Sequence, residues 1–107
     1  MTNAKSPLAT SRKGDTLRLK PKADLVASTV EVQRAAMMKA LESAEGEVVL
    51  DLSGVAQIDS LGITLVLGLF KTCQKAGVAF AICGVRPDLM RVFRLFNLPK
   101  FFPISEG

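Results

Sequence analysis

The residues best suited to chemistry in this sequence stand together in the run Asp59-Ser60-Leu61-Gly62, where a hydroxyl follows a carboxylate at the start of a helical pattern. Ser60 has two readings. As an N-cap it would accept a hydrogen bond from a backbone N–H of the first turn, which accounts for the residue type by itself. As a modification site it would set a phosphoryl group at a helix N-terminus, where unpaired N–H groups and the positive dipole end stabilise a phosphate. Phosphorylation adds a charge of about −1.5 to −2, so a partner fitted to the neutral hydroxyl would meet both bulk and repulsion beside Asp59. Gly62 either keeps the backbone open to a modifying enzyme or lets the helix pack closely on a sheet. Thr64, one turn on, is a second acceptor candidate or an ordinary helix-surface Thr.

Other chemistry has little to build on. The chain has no His, which removes the usual general base and with it a Ser-His-Asp or Cys-His nucleophile. Cys73 and Cys83 lie too far apart for a CxxC redox pair and lack the ligands for a structural zinc site. Both are expected to be reduced core residues in a cytoplasmic protein. No glycine-rich phosphate loop and no Cys/Asp/Glu cluster at metal spacing is present, so the expectation is a binding module with no catalytic site and no cofactor.

The elements that must position Ser60 follow from the patterning. A chain of 107 residues with 49% hydrophobic composition fits one domain. No apolar run approaches the roughly 20 residues of a membrane span. Residues 1–14, polar and without an apolar stretch, read as a flexible tail rather than a signal peptide, leaving 15–107 as the domain. Asp15 to Lys20 alternates as a half-buried strand, and a second short strand is expected near Asp24 to Ala27. Ser28 and Glu31 have capping-box spacing for a first helix over about 29–44, closed by Gly46. The continuous run Glu47 to Leu52 reads as a central strand covered on both faces.

The second helix is expected to begin at Ser60 or next to it and to end near Lys75. Ile63, Val66, Leu67, Phe70 and Cys73 make one apolar face, while Leu61, Leu65 and Leu69 make another at i, i+4 spacing. That extra stripe suits either a protein-binding surface or a helix squeezed between sheet and neighbour. Val78 to Cys83 reads as a strand, and Pro87 with Asp88 opens a third helix whose face is Leu89, Val92, Phe93 and Phe96. Phe101 to Ile104 then adds an edge strand, through which a homodimer could form. The fold class is therefore α/β, a mixed and mostly parallel sheet of about four or five strands with about three helices in the order β-β-α-β-α-β-α-β. The net charge of +4 is concentrated at the two ends. Without Trp or Tyr it reads as a solvated basic surface rather than a nucleic-acid site.

With these residues assembled, Val48 to Gly62, containing Asp51-Leu-Ser-Gly-Val55 and the Asp-Ser-x-Gly run, resembles the signature region of STAS-domain anti-sigma factor antagonists. Ala81 to Leu89 and Phe96 to Ile104 are similar to that family's closing strand, helix and end. The resemblance runs from about residue 47 to 104 and is only topological before that. It implies that Ser60 is phosphorylated by an anti-sigma factor that is also an ATP-dependent Ser kinase, and that a PP2C-type phosphatase reverses the step. The unphosphorylated form would bind the kinase and release its client, with Asp24, Asp59, Ser60, Leu61, Gly62, Thr64 and Leu65 facing the partner. ATP and Mg²⁺ would belong to the kinase. The competing reading is a STAS subunit of a lipid or anion transport complex, or a signalling scaffold, with the same residues as a phosphate-free interface.

Overall fold

The computed structural model describes residues 6–107. A two-residue turn at Gly14-Asp15, with Gly14 at a φ of 62°, joins strand β1 (Leu8–Lys13) to β2 (Thr16–Pro21) in antiparallel register. Positive φ at that position is costly for any residue with a side chain, so glycine sets the hairpin. Residues 8–13, expected in a flexible tail, are thus an edge strand; residues 1–5 of that tail lie outside the described residues. The sequence shows the Gly-Asp turn, but of the inward residues Leu8, Thr10 and Arg12 only the first is apolar, so the period-2 pattern is faint.

After β2 come helix α1 (Val30–Leu41), strand β3 (Glu47–Asp51), helix α2 (Ser60–Lys75), strand β4 (Ala79–Val85), helix α3 (Pro87–Leu95), a 3-10 turn over Leu98–Lys100 and strand β5 (Ile104–Glu106). The five strands lie in the spatial order of the sequence. β2 through β5 are parallel. The order β-β-α-β-α-β-α-β and the mixed sheet are those expected, though the opening pair is β1 and β2. The strand expected at 24–27 shrinks to a single bridge between Leu25 and Ile58.

Three successive right-handed crossovers stepping the same way across a sheet place all their helices on one face. The burial of β3 shows it: Val48 and Leu50 are fully buried while Glu47, Val49 and Asp51 are only partly covered. β3 is central, but it is covered on one face rather than two. Its inward residues meet Leu19, Ile82, Leu65, Leu69 and Phe93, each nearly or fully inaccessible, in one core. On the open face the Arg18 guanidinium reaches Asp51 Oδ2 at 2.9 Å and Cys83 Sγ at 3.3 Å. Burial alone would push the Asp51 carboxyl up, but hydrogen bonds from Ser53 and the Arg18 charge outweigh it and hold the group below its usual value. Cys83 is therefore half-exposed and not a core residue, whereas Cys73 is buried and burial raises its thiol.

Two helix ends differ from expectation. α1 ends at Leu41 and begins after Thr29, whose Oγ1 accepts from Val26 N and donates to the Asp24 carbonyl; the Ser28 and Glu31 capping box does not form. In α3 the buried face is Leu89, Met90 and Phe93, with Phe96 51% exposed. The helix stops at Leu95 and Asn97 takes a left-handed φ of 59°, so Phe96 leaves the helical face one residue too early to join it.

Candidate functional site

The site is built where the chain leaves the carboxyl ends of β2 and β3. Two loops cross there, 22–29 and 52–59, and two carboxylates stitch them in opposite directions. Asp24, on the first loop, accepts from the backbone N–H groups of Ala56 at 2.7 Å and Gln57 at 3.1 Å on the second. Asp59, on the second, accepts from Ala27 N on the first at 2.8 Å. Backbone bonds from Leu25 N to the Gln57 carbonyl and from Asp59 N to the Leu25 carbonyl complete the seam. The carboxylate bonds lie at the surface, so they act by fixing the two irregular loops against each other rather than by satisfying buried groups.

Asp59, not Ser60, is the N-cap of α2. Its Oδ1 accepts from Leu61 N and Gly62 N, both at 3.0 Å, and its other oxygen holds Ala27. A carboxylate's two oxygens can accept all three of these bonds at once, whereas the single hydroxyl oxygen of a serine, with two lone pairs, cannot. Ser60 is the first helical residue, exposed, and takes no part in the cap. The hydrogen bond from Gly62, with those from Ala27 and Leu61, lowers the Asp59 pKa against the opposing effect of desolvation.

Of the residues expected to face a partner, Asp24, Asp59, Ser60, Leu61 and Gly62 converge here. Leu61 is 46% exposed beside the hydroxyl, and Thr64 is exposed one turn on, its Oγ1 donating to the Ser60 carbonyl at 2.9 Å. Leu65 and Leu69 are buried, at 1% and 0%, so the second apolar stripe of α2 is core except at Leu61. Gly62 is buried too. A Cβ there would stand 2.1 Å from the Leu25 carbonyl oxygen, so close packing of the helix on the seam requires this glycine. Sequence reasoning missed the latch on Ala27, which pairs backbone with a residue 32 positions away; the signal for the cap was present, since Asp caps as well as Ser.

The STAS domain family model matches residues 7–107. An anti-sigma F factor antagonist of Paenibacillus polymyxa is 30% identical over 80 residues, 74% of this chain and 68% of that protein. The chain belongs to the STAS-domain anti-sigma factor antagonist family. Among solved structures, an anti-sigma factor antagonist (STAS) domain protein of Planctomyces limnophilus superposes with a TM-score of 0.84 at 21% identity, covering 94% of this chain and 90% of that one. A sulfate transporter family protein of Wolinella succinogenes has the same fold, with a TM-score of 0.77 at 13% identity over 91% and 81%. The family is one of binding regulators, and no helix among the described residues is long and apolar enough to cross a membrane.

The lowered pKa of the capping carboxylate predicts an acid response for this STAS domain. A group whose folded pKa is lowered contributes stability above its unfolded value, about 3.9 for Asp, and loses it as pH falls through the folded value. Asp59→Asn retains a capping oxygen but no charge. Urea midpoints of wild type should exceed those of Asp59→Asn near neutral pH, and the gap should close as pH drops below about 4. A gap that stays constant down to acid pH would mean the Asp59 charge does not support the seam.

Proposed function

We propose that this domain is a phosphorylation-controlled anti-sigma factor antagonist. In its unphosphorylated form it binds an anti-sigma factor that is also a Ser kinase and frees that factor's client; phosphate on Ser60 ends the binding, and a PP2C-type phosphatase restores it. The supporting observation is the division of labour at α2: Asp59 takes the cap, so the Ser60 hydroxyl is exposed at the first helical position and can be modified without removing a bond that holds the helix. A phosphate there would stand at the positive end of the α2 dipole, and its charge would stand beside the Asp59 carboxylate, where a docked partner would feel both. Leu61 supplies an apolar contact adjoining the switch. Asp24 and Asp59 act from inside, by fixing the two loops between which Ser60 is presented.

The test is the intact mass of the protein isolated from its own cells, for wild type and Ser60→Ala, with and without phosphatase treatment. A phosphate-sized increment in wild type alone, removed by treatment, is the expected result. Wild type that stays unmodified across growth and stress conditions would overturn the switch and leave the constitutive reading, a STAS subunit of a transport complex or scaffold.

A further inference from the structure

Of the five large apolar side chains exposed among the described residues, three lie within seven positions of one another, Leu95 at 81%, Phe96 at 51% and Phe101 at 56%. Their exposure is built in rather than a loose end. Phe93, Leu98 and Phe102, interleaved with them, are 0%, 1% and 5% exposed, so the segment is anchored to the core at three points and holds the intervening rings outward. Phe101 stands 6.2 Å from Phe70, Phe70 5.1 Å from Phe102, and Phe102 packs edge-on against Phe80 at 5.0 Å, an aromatic chain running from core to surface. Between Phe96 and Phe101 on one wall and Leu67 and Phe70 on the other is a groove of about 240 Å³, with Lys71 at its edge.

The charged residues on the groove's own segments are cationic: Lys71 lines it, and Arg94 and Lys100 adjoin Leu95 and Phe101 in the sequence. From Ser60 to Ser105 the chain carries six Lys/Arg and a single acid, Asp88. Lys71, Arg94 and Lys100 are exposed, and none has an ion-pair partner among the described residues. An apolar groove with a cationic rim is complementary to a helix that presents apolar anchors at i, i+3/i+4 and i+7 between acidic residues. A second copy of this chain would bring its own cations against these, and like charges facing each other across an interface oppose association. A bilayer would favour a protruding apolar face over a concave one.

We infer that this groove between the second half of α2 and the segment after α3 docks an acidic, amphipathic helix of a partner protein, at a surface separate from Ser60. Lys71 lies eleven residues along α2 from Ser60, roughly 16 Å at 1.5 Å per residue, so the two surfaces can be occupied independently. The walls are fixed by buried neighbours, which removes much of the ordering cost of binding.

The experiment uses the full chain and a fluorescein-labelled amphipathic peptide with Leu at the anchor positions and Glu elsewhere, alongside the same peptide with every Glu replaced by Lys. Anisotropy should show saturable binding of the Glu peptide only, and backbone amide NMR shifts should concentrate at 67–71 and 95–101. Phe96→Ser and the double substitution Lys71→Glu/Lys100→Glu should each weaken binding at least about tenfold, ~1.4 kcal/mol, with thermal unfolding of the double variant unchanged. Ser60→Asp should bind as wild type does. Absence of saturable binding, equal binding of the Lys peptide, or shifts located elsewhere would overturn the inference. So would a concentration-dependent dimer lost in the double variant, which assigns the groove to a second copy. Binding to phosphatidylglycerol vesicles in place of the peptide, lost in Phe96→Ser, would equally overturn it and assign the groove to a lipid surface.

Discussion

Ser60→Asp is expected to lose its partner while keeping its fold. Placed on an exposed side chain that makes no capping bond, the new carboxylate removes nothing from the native state. An acid in a first helical turn is mildly favourable, and exposed substitutions of this kind stay within about ±0.5 kcal/mol. The interface is a different matter. Asp59 already holds one negative charge at the helix start, and a second beside it presents any docked surface with desolvation and repulsion together; like charges brought together across an interface cost several kcal/mol. Affinity-tagged Ser60→Asp recovered from the native cells should therefore carry at least about tenfold less anti-sigma factor than wild type, the equivalent of ~1.4 kcal/mol. Ser60→Ala, which keeps the neutral surface, should carry as much or more. Equal recovery with all three forms would show that charge at Ser60 does not govern binding, whatever its phosphorylation state.

This separation of the exposed Ser60 hydroxyl from the helix cap was only half legible in the sequence. The strand Glu47–Asp51 and the helix Ser60–Lys75 stood out because one is a continuous aliphatic run and the other has a long 3.6-residue period ended by Gly77. Which of two adjacent capping residues takes the cap was not legible. Both types serve, and the choice depends on Ala27, whose N–H lies in reach of Asp59 only because the loops after β2 and β3 cross. The covering of β3 was misread for a related reason. Val48, Val49 and Leu50 give a run with no alternation, and only the sheet order shows that all crossovers step one way and leave Val49 on an open face. Edge strand β1 was hidden because edges tolerate polar residues on their inward side. The groove beside Phe70 was hidden because a Phe in a helical pattern is read as core, and Phe96 falls beyond the last helical residue by one position.

The largest effect on stability should come from the smallest substitution in the site. Gly62 and Gly68 lie six residues apart in the same helix, and on propensity alone Ala at either should stabilise by roughly 1 kcal/mol. Their surroundings are opposite. Nothing lies within 4 Å of a Cβ built at Gly68, while at Gly62 it would stand 2.1 Å from the Leu25 carbonyl oxygen and 2.6 Å from the Ile58 side chain. The carbonyl is the harder obstacle, because Leu25 is fully buried and that oxygen accepts from Asp59 N at 3.2 Å. It cannot withdraw without opening the seam that holds Asp24, Ala27 and Asp59 together. Overpacking of a fixed backbone costs typically 1–3 kcal/mol and occasionally more, so the clash should outweigh the propensity gain. Chemical denaturation should then show Gly68→Ala more stable than wild type by about 0.5–1 kcal/mol and Gly62→Ala less stable by about 1–3 kcal/mol. The loops lean on this contact, so Gly62→Ala should also speed exchange of the Ala27 and Gln57 amides, whereas Gly68→Ala should leave them unchanged. If both alanines stabilised the domain, the close approach of α2 to Leu25 would not be what demands glycine, and access to the backbone beside Ser60 would become the reason for it.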